Sequence, residues 1–194
     1  MEPVIFLIPV FMKIVIFLIP VVFLLTLISH YNTLIQIRNQ CDEAWSNVDI
    51  EFKRRYSLIP NLIEDVKGYA EYERSLLTEL VKLRESNLNT QSPFSSRTAD
   101  EAEFKNVLSK LRVRLESYPD LKSSQSFLEL QKELRNTEDR IQAALRFYNG
   151  NIRENNNQIY KFPSNIVANV CKFRKKEFFK LEDEVNKILP SVRF

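Results

Sequence analysis

The residue types that could support covalent chemistry are few and poorly placed for it. His30 is the only histidine and stands at the end of an uncharged apolar run, so no Ser-His-Asp group, Cys-His pair or His/Cys zinc site can be assembled in the body of a single chain. Cys41 and Cys171 lie far apart, at or near apolar positions, and read as small buried hydrophobes. Gly68 and Gly150 are the only glycines, which excludes a P-loop or a dinucleotide fingerprint. Carboxylates remain. Glu133 with Glu138, or Asp42 with Glu43, could be drawn as acid and base or as metal ligands, but such pairs are ordinary on solvated helix faces. The chain is therefore expected not to be an enzyme and to use no cofactor or metal.

Two basic groups stand out from a formal net charge of +3 that is otherwise interleaved along the chain. Lys53-Arg54-Arg55 is the first, and such a triplet is usually a solvated face. The second, Lys172-Phe173-Arg174-Lys175-Lys176-Glu177-Phe178-Phe179-Lys180, mixes cations with aromatics. It could lie on a lipid surface, aromatics buried and cations over anionic head groups. Alternatively Phe173, Phe178, Leu181 and Val185 simply cover the end of the body. With no stacking platform or reader motif, nucleic acid is not an expected partner.

The elements that position these residues are helical. The stretch from Ile14 to Ser29, extended by His30 and Tyr31, is uncharged and about long enough to span a hydrocarbon core. Lys13 can snorkel at one end, and Pro20 can kink the span. A cleaved signal peptide is disfavoured because Leu27-Ile28-Ser29 lacks small residues for cleavage. The segment VIFLIPV at 4–10 recurs at 15–21, which suggests a duplication or a native start at Met12.

Beyond the span, Leu34, Ile37, Cys41, Ala44 or Trp45, Val48 and Phe52 recur at helical steps. Ser57 can cap a second helix with Pro60 in its first turn, continued by Leu62, Val66, Tyr69, Leu76, Leu80 and Leu83. A loop over 87–95 precedes a third helix through Phe104, Val107, Leu108, Leu111 and Leu115, closed by Tyr118-Pro119. The fourth carries a heptad seam at Phe127, Leu134, Ile141, Tyr148 and Asn155, with Leu130, Thr137, Ala144 and Gln158 as companions.

Four amphipathic helices with short connections predict an all-α, up-and-down antiparallel four-helix bundle behind an N-terminal transmembrane helix. The expected organisation is leader and anchor over 1–31, bundle over 32–165, and a basic, aromatic, helical C-terminal segment over 166–194. In that bundle the turns at Tyr56–Asn61 and Tyr118–Lys122 share the membrane-distal tip. Lys53, Arg54, Arg55, Asn61, Tyr118 and Lys122 are then candidates for contacting a protein partner, while Lys172, Phe173, Arg174, Lys175, Lys176, Phe178 and Phe179 are candidates for the lipid surface.

The residues carrying these features also form a recognisable pattern. Ala44-Trp45-Ser46-x-Val48-Asp49, Lys53-Arg54-Arg55-Tyr56-x-Leu58-Ile59-Pro60-Asn61-Leu62, Val66-Lys67-Gly68-Tyr69, Tyr118-Pro119-Asp120-Leu121-Lys122, Tyr148-Asn149 and Phe162-Pro163-Ser164-Asn165 occur in that order. The pattern resembles the LemA family of bacterial membrane proteins over nearly everything after the apolar run. Tyr72 stands where the family commonly has histidine, and Asn155-Asn156 where it commonly has a second Tyr-Asn. The resemblance implies one N-terminal transmembrane helix and a LemA-like bundle, and it brings no reaction. The expected function is that of an adaptor or scaffold in a bacterial inner membrane, partnered by the lipid bilayer and a membrane or envelope protein, with the N-terminus cytoplasmic and the body outside. The alternative is a membrane-organising or lipid-surface-binding structural role.

Overall fold

The computed structural model describes residues 3–67, 74–89 and 94–179. Every regular element among them is a helix: α1 (Pro3–Ser57), α2 (Ile59–Lys67), α3 (Arg74–Asn89), α4 (Phe94–Leu115), α5 (Pro119–Ser123), α6 (Gln125–Tyr160) and α7 (Ser164–Val170). The apolar run and the first body seam are one continuous helix, which neither Pro9 nor Pro20 ends. From Ile16 to Leu25 the large apolar side chains are exposed, Phe17 to 75%, and Leu27 is half-buried. Among the described residues one helix is thus long and apolar enough to cross a membrane. Farther along, the expected seam is buried at Leu34, Ile37, Cys41, Ala44, Val48 and Phe52.

The junction after α1 differs from the expected hairpin. Leu58 alone separates α1 from α2, whereas antiparallel helix pairs need loops of about two to five residues. Backbone bonds bridge the break, from Leu58 N to Arg55 O and from Leu62 N to Leu58 O, both 3.1 Å. Ser57 does not cap α2; its hydroxyl donates back to Arg54 O at 2.6 Å. We therefore describe the junction as a bend.

Compactness divides the chain into two units, Met1–Glu43 with Gly150–Glu177, and Ala44–Asn149 with Phe178–Phe194. In the first, Leu34, Val167 and Ala168 form a small core against which Leu27, Ile159 and Phe173 pack. α7 ends where Phe173 N donates to Ala168 O at 2.9 Å and Lys172 takes the left-handed conformation with φ 57°. Residues 173–179, expected to be helical, run without regular secondary structure. The Asn156 side chain holds this strand in both directions: it accepts from Lys176 N and donates to Lys176 O, each at 3.0 Å. Lys176 pairs with Asp42, and Phe173 meets the Tyr31 ring at 6.1 Å, edge-on.

In the second unit, contacts set the helix directions. Asp49 meets Arg97, Arg55 meets Glu101 and Tyr56 meets Phe104, so α1 and α4 run the same way. Trp45 meets Tyr148 and Arg55 meets Glu138, so α6 runs against both. α3 packs on α2 and α4. Along α6 the heptad residues Phe127, Ile141 and Tyr148 are buried with Leu130 and Thr137, but the companion stripe then moves to Leu145 in place of Ala144. That drift follows from 3.6 residues per turn departing from a repeat of 3.5. Asn149 repeats the clamp, accepting from Phe179 N and donating to Phe179 O, each at 2.9 Å.

Phe179 is not a lipid-facing residue here. It is 4% exposed, its ring 6.1 Å from Trp45 and 6.2 Å from Phe52. The expected loss for Phe179→Ala is about 3 to 5 kcal/mol, measurable by urea unfolding of the full chain in detergent. Asn156→Ala removes two hydrogen bonds, roughly 1 kcal/mol each, so the Lys176 amide should exchange hydrogen at least about tenfold faster, as read by residue-resolved exchange.

Candidate functional site

Arg55 sits three residues after Phe52 and four before Ile59, on the inward stripe where α1 turns into α2. Its side chain is 2% exposed. The guanidinium meets Glu101 of α4 through both terminal nitrogens, with Nη1 to Oε1 at 2.8 Å, and Nη1 also donates to Glu138 Oε2 of α6 at 3.2 Å. The planar fork matches a carboxylate in a way an ammonium cannot. Its carbon lies 4.3 Å from the Phe104 ring centroid and 5.5 Å from those of Phe52 and Tyr56. Tyr56 and Phe104 stack edge to face at 5.1 Å. One cation in an aromatic box thus braces α1, α4 and α6.

Further charges extend the brace. Glu138 also pairs with Lys105 at 3.2 Å. Asp49 accepts from Arg97 at 2.6 Å and pairs with Lys53 at 2.7 Å. Arg55 Nε is buried without a hydrogen-bond partner, which fits the face-on packing of the guanidinium against rings.

Electrostatics show what this centre is suited to do. Burial works against the charge of Arg55, but the hydrogen bonds it donates to Glu101 and the neighbouring negative charges outweigh it and raise its pKa. Tyr56 is pushed up to about 12, mainly by burial. At Glu138 burial is outweighed by Lys105 and Arg55, and its pKa falls below 4.5. All three move away from neutrality, whereas general acid-base groups are tuned towards it. The arrangement locks charges in place.

The sequence-derived candidates separate accordingly. Arg55 cannot offer its charge to a partner, because Glu101 and Glu138 hold it inside. Lys53, Arg54, Asn61 and Lys122 are exposed, and Tyr118 is half-buried. The two sets are not brought to one tip: Phe104 stands beside Tyr56, and α4 continues to Leu115, about 16 Å farther on. Instead Ile50, Arg54, Ser57 and Asn61, at helical steps, are all exposed, with Lys53 beside them.

Of the lipid candidates, Lys172, Arg174, Lys175 and Phe178 are exposed, while Phe173 and Lys176 are half-buried. Cys41 is buried, and its thiol is pushed up by burial; Cys171, also expected inside, is exposed just past α7. Asp42 and Glu138 are held by lysines, and among the described residues no three His, Cys, Asp or Glu cluster as metal ligands. Tyr72 lies outside the described residues.

Sequence reasoning missed Glu101, Arg97, Asn149 and Asn156. Their signals were present: Glu101 lies three before Phe104 on one face, and Asn149 and Asn156 are seven apart beside the α6 seam.

Residues 44–194 match the LemA family. The chain is similar to Protein LemA of Metamycoplasma hominis, 25% identical with 86% of this chain and 79% of that protein covered. It is likewise similar to Magnetosome protein MamQ 2 of Paramagnetospirillum magneticum, 25% identical over 81% of this chain and 67% of the relative. Magnetosome protein MamQ of Magnetospirillum gryphiswaldense is 22% identical over the same shares.

Removing Glu101 leaves Arg55 buried with one weak partner, so Glu101→Ala should lose about 3 to 5 kcal/mol in urea unfolding, and Arg55→Met with Glu101→Leu distinctly less. Acid titration gives a second check. The native carboxyl of Glu138 binds its proton less tightly than the unfolded chain, so its stabilisation is full above about pH 4.5 and disappears as pH falls through the lower native value. Glu138→Gln should lower stability at pH 7 and flatten the acid limb of the stability profile.

Proposed function

The chain belongs to the LemA family, and from that premise we propose that it works as a membrane-anchored helical adaptor that performs no covalent chemistry of its own. One observation carries the proposal: a single helix, α1, bears both the uncovered apolar run and the Arg55 brace. Within the second unit the buried ion pair sets the register of α1 against α4 and α6, so the exposed stripe of α1 is carried on a fixed frame. We read the body as an up-and-down four-helix bundle whose legs are α1 with α2, then α3, α4 and α6. The shared direction of α1 and α4, and the opposite direction of α6, support that reading.

The presented surface is the stripe of Ile50, Lys53, Arg54 and Asn61 on α1 and α2, with Tyr118 and Lys122 as a separate patch at α5. An apolar side chain rimmed by cations and an amide has the make-up of an interface, and an acidic protein surface is its natural complement. The relatives' names set them in different contexts, LemA in one and the magnetosome in the others. What they share with this chain is therefore better sought in the helical body than in a process. We place the protein in a bacterial inner membrane, N-terminus cytoplasmic and body outside.

A second reading, favoured by the exposed Lys172, Arg174 and Lys175, is a membrane-organising role through the anchor and the basic C-terminal segment.

A photo-crosslinker at position 54 in living cells should give a discrete protein adduct that Ile50→Asp abolishes, while the same group at exposed Arg112 on α4 gives none. No adduct from position 54, or the same adducts from both positions, would contradict the adaptor reading.

A further inference from the structure

An unassigned feature of the first unit lies where the apolar run ends. α7 buries Val167 and Ala168 against Leu34, with Leu27 of the apolar run packed alongside. Its other face carries Ile166, 48% exposed, and Val170, 76% exposed, four residues apart, interleaved with exposed Asn165 and Asn169. Phe162, just before α7, is also exposed. Two large apolar side chains exposed one turn apart beside two amides make a face suited to the boundary between lipid and water. Leu27 fixes its level, beside the end of the run that would span the bilayer.

The groove begins immediately after Val170. From Cys171 the chain turns through the left-handed Lys172, which closes the C-terminus of α7 and redirects the backbone along α1. With α1 it then encloses a cavity of about 480 Å³, lined by Tyr31, Arg38, Lys172, Phe173, Arg174 and Lys175 among others. No carboxylate among the described residues pairs with Arg38, Lys172, Arg174 or Lys175, whereas Lys176 is held by Asp42. Tyr31 and Phe173, edge to face, form an aromatic wall. Seven residues of helix separate Tyr31 from Arg38, a rise of about 10 Å, comparable to the head-group layer outside the hydrocarbon.

We propose that this groove binds the head group of an anionic phospholipid. The phosphate sits among Arg38, Lys172, Arg174 and Lys175, and the acyl chains lie over Ile166 and Val170. The proposal rests on the reading of α1 as a membrane anchor and deepens the second functional reading by naming a ligand class and a place for it. Unpaired cations attract an anionic head group and do not favour a zwitterionic one. The exposed Ile166 and Val170 just before them favour a lipid over a soluble phosphate.

The test is native mass spectrometry of the full chain in detergent, titrated with phosphatidylglycerol or phosphatidylcholine. The first phosphatidylglycerol should be retained at least about tenfold more tightly. The combined variant Arg38→Gln, Lys172→Gln, Arg174→Gln and Lys175→Gln should lose the preference with helicity unchanged. If the combined variant misfolds, Arg38→Gln alone, at an exposed site on α1, should still reduce it measurably. Equal retention of both lipids by the unmodified chain, or a preference that survives the substitutions, overturns the proposal. Displacement of phosphatidylglycerol by inorganic phosphate at equal concentration would assign the groove to a free anion and overturn the lipid. Flotation with phosphatidylcholine vesicles separates the two readings: a chain that floats but shows no preference loses only the groove, and one that does not float loses the anchor as well.

Discussion

The burial of Arg55 is the constraint from which the rest of the body's arrangement follows. A guanidinium removed from water is tolerated only where carboxylates and ring faces replace its hydration. Here Glu101 and Glu138 arrive from two other helices, and Phe52, Tyr56 and Phe104 close around the plane. Sliding any of the three helices by one turn, about 5.4 Å, would separate the charges. The ion pair therefore acts mainly as a register mark, while the apolar seams supply most of the favourable burial. Arg55, Tyr56 and Glu138 are each driven away from a pKa near neutrality.

Much of the architecture was legible because helices announce themselves by period. The stripe at Leu34, Ile37, Cys41, Ala44, Val48 and Phe52 is buried residue for residue, and Tyr118-Pro119 closes α4 as a residue before proline should. LemA membership, inferred from the same motifs, holds over 44–194. What failed to show was whatever depends on partners distant in sequence. Arg55 read as one of three surface cations, although the step from Phe52 places it inward, because composition gives no sign that Glu101 and Glu138 stand opposite. Ser57 and Pro60 look like a helix start and so suggest a reversal where the chain only bends at Leu58, because start signals do not encode direction.

The C-terminal segment was obscured for a related reason. Its basic and aromatic residues suggest an amphipathic helix, but an extended strand can be held equally well when side-chain amides replace a neighbouring backbone. Asn149 and Asn156 do this at Phe179 and Lys176, each in its own unit, each offering one donor and one acceptor. Two asparagines in the interior of a helix otherwise disfavour it slightly, and that local cost is the trace such clamps leave in a sequence.

The central claim is that one helix serves two solvents, lipid along its first part and a packed protein core along its last. A cysteine scan of α1 in membranes, each site challenged with a water-soluble thiol reagent in a Cys41→Ala, Cys171→Ala background, tests it most directly. Residues 16–28 should be protected all round, with no period. From 34 onwards protection should recur every 3.6 residues, with minima of reactivity at Leu34, Ile37, Ala44, Val48, Phe52 and Arg55. A helical period extending through 16–28, or a reactive cysteine at position 55, would contradict the account.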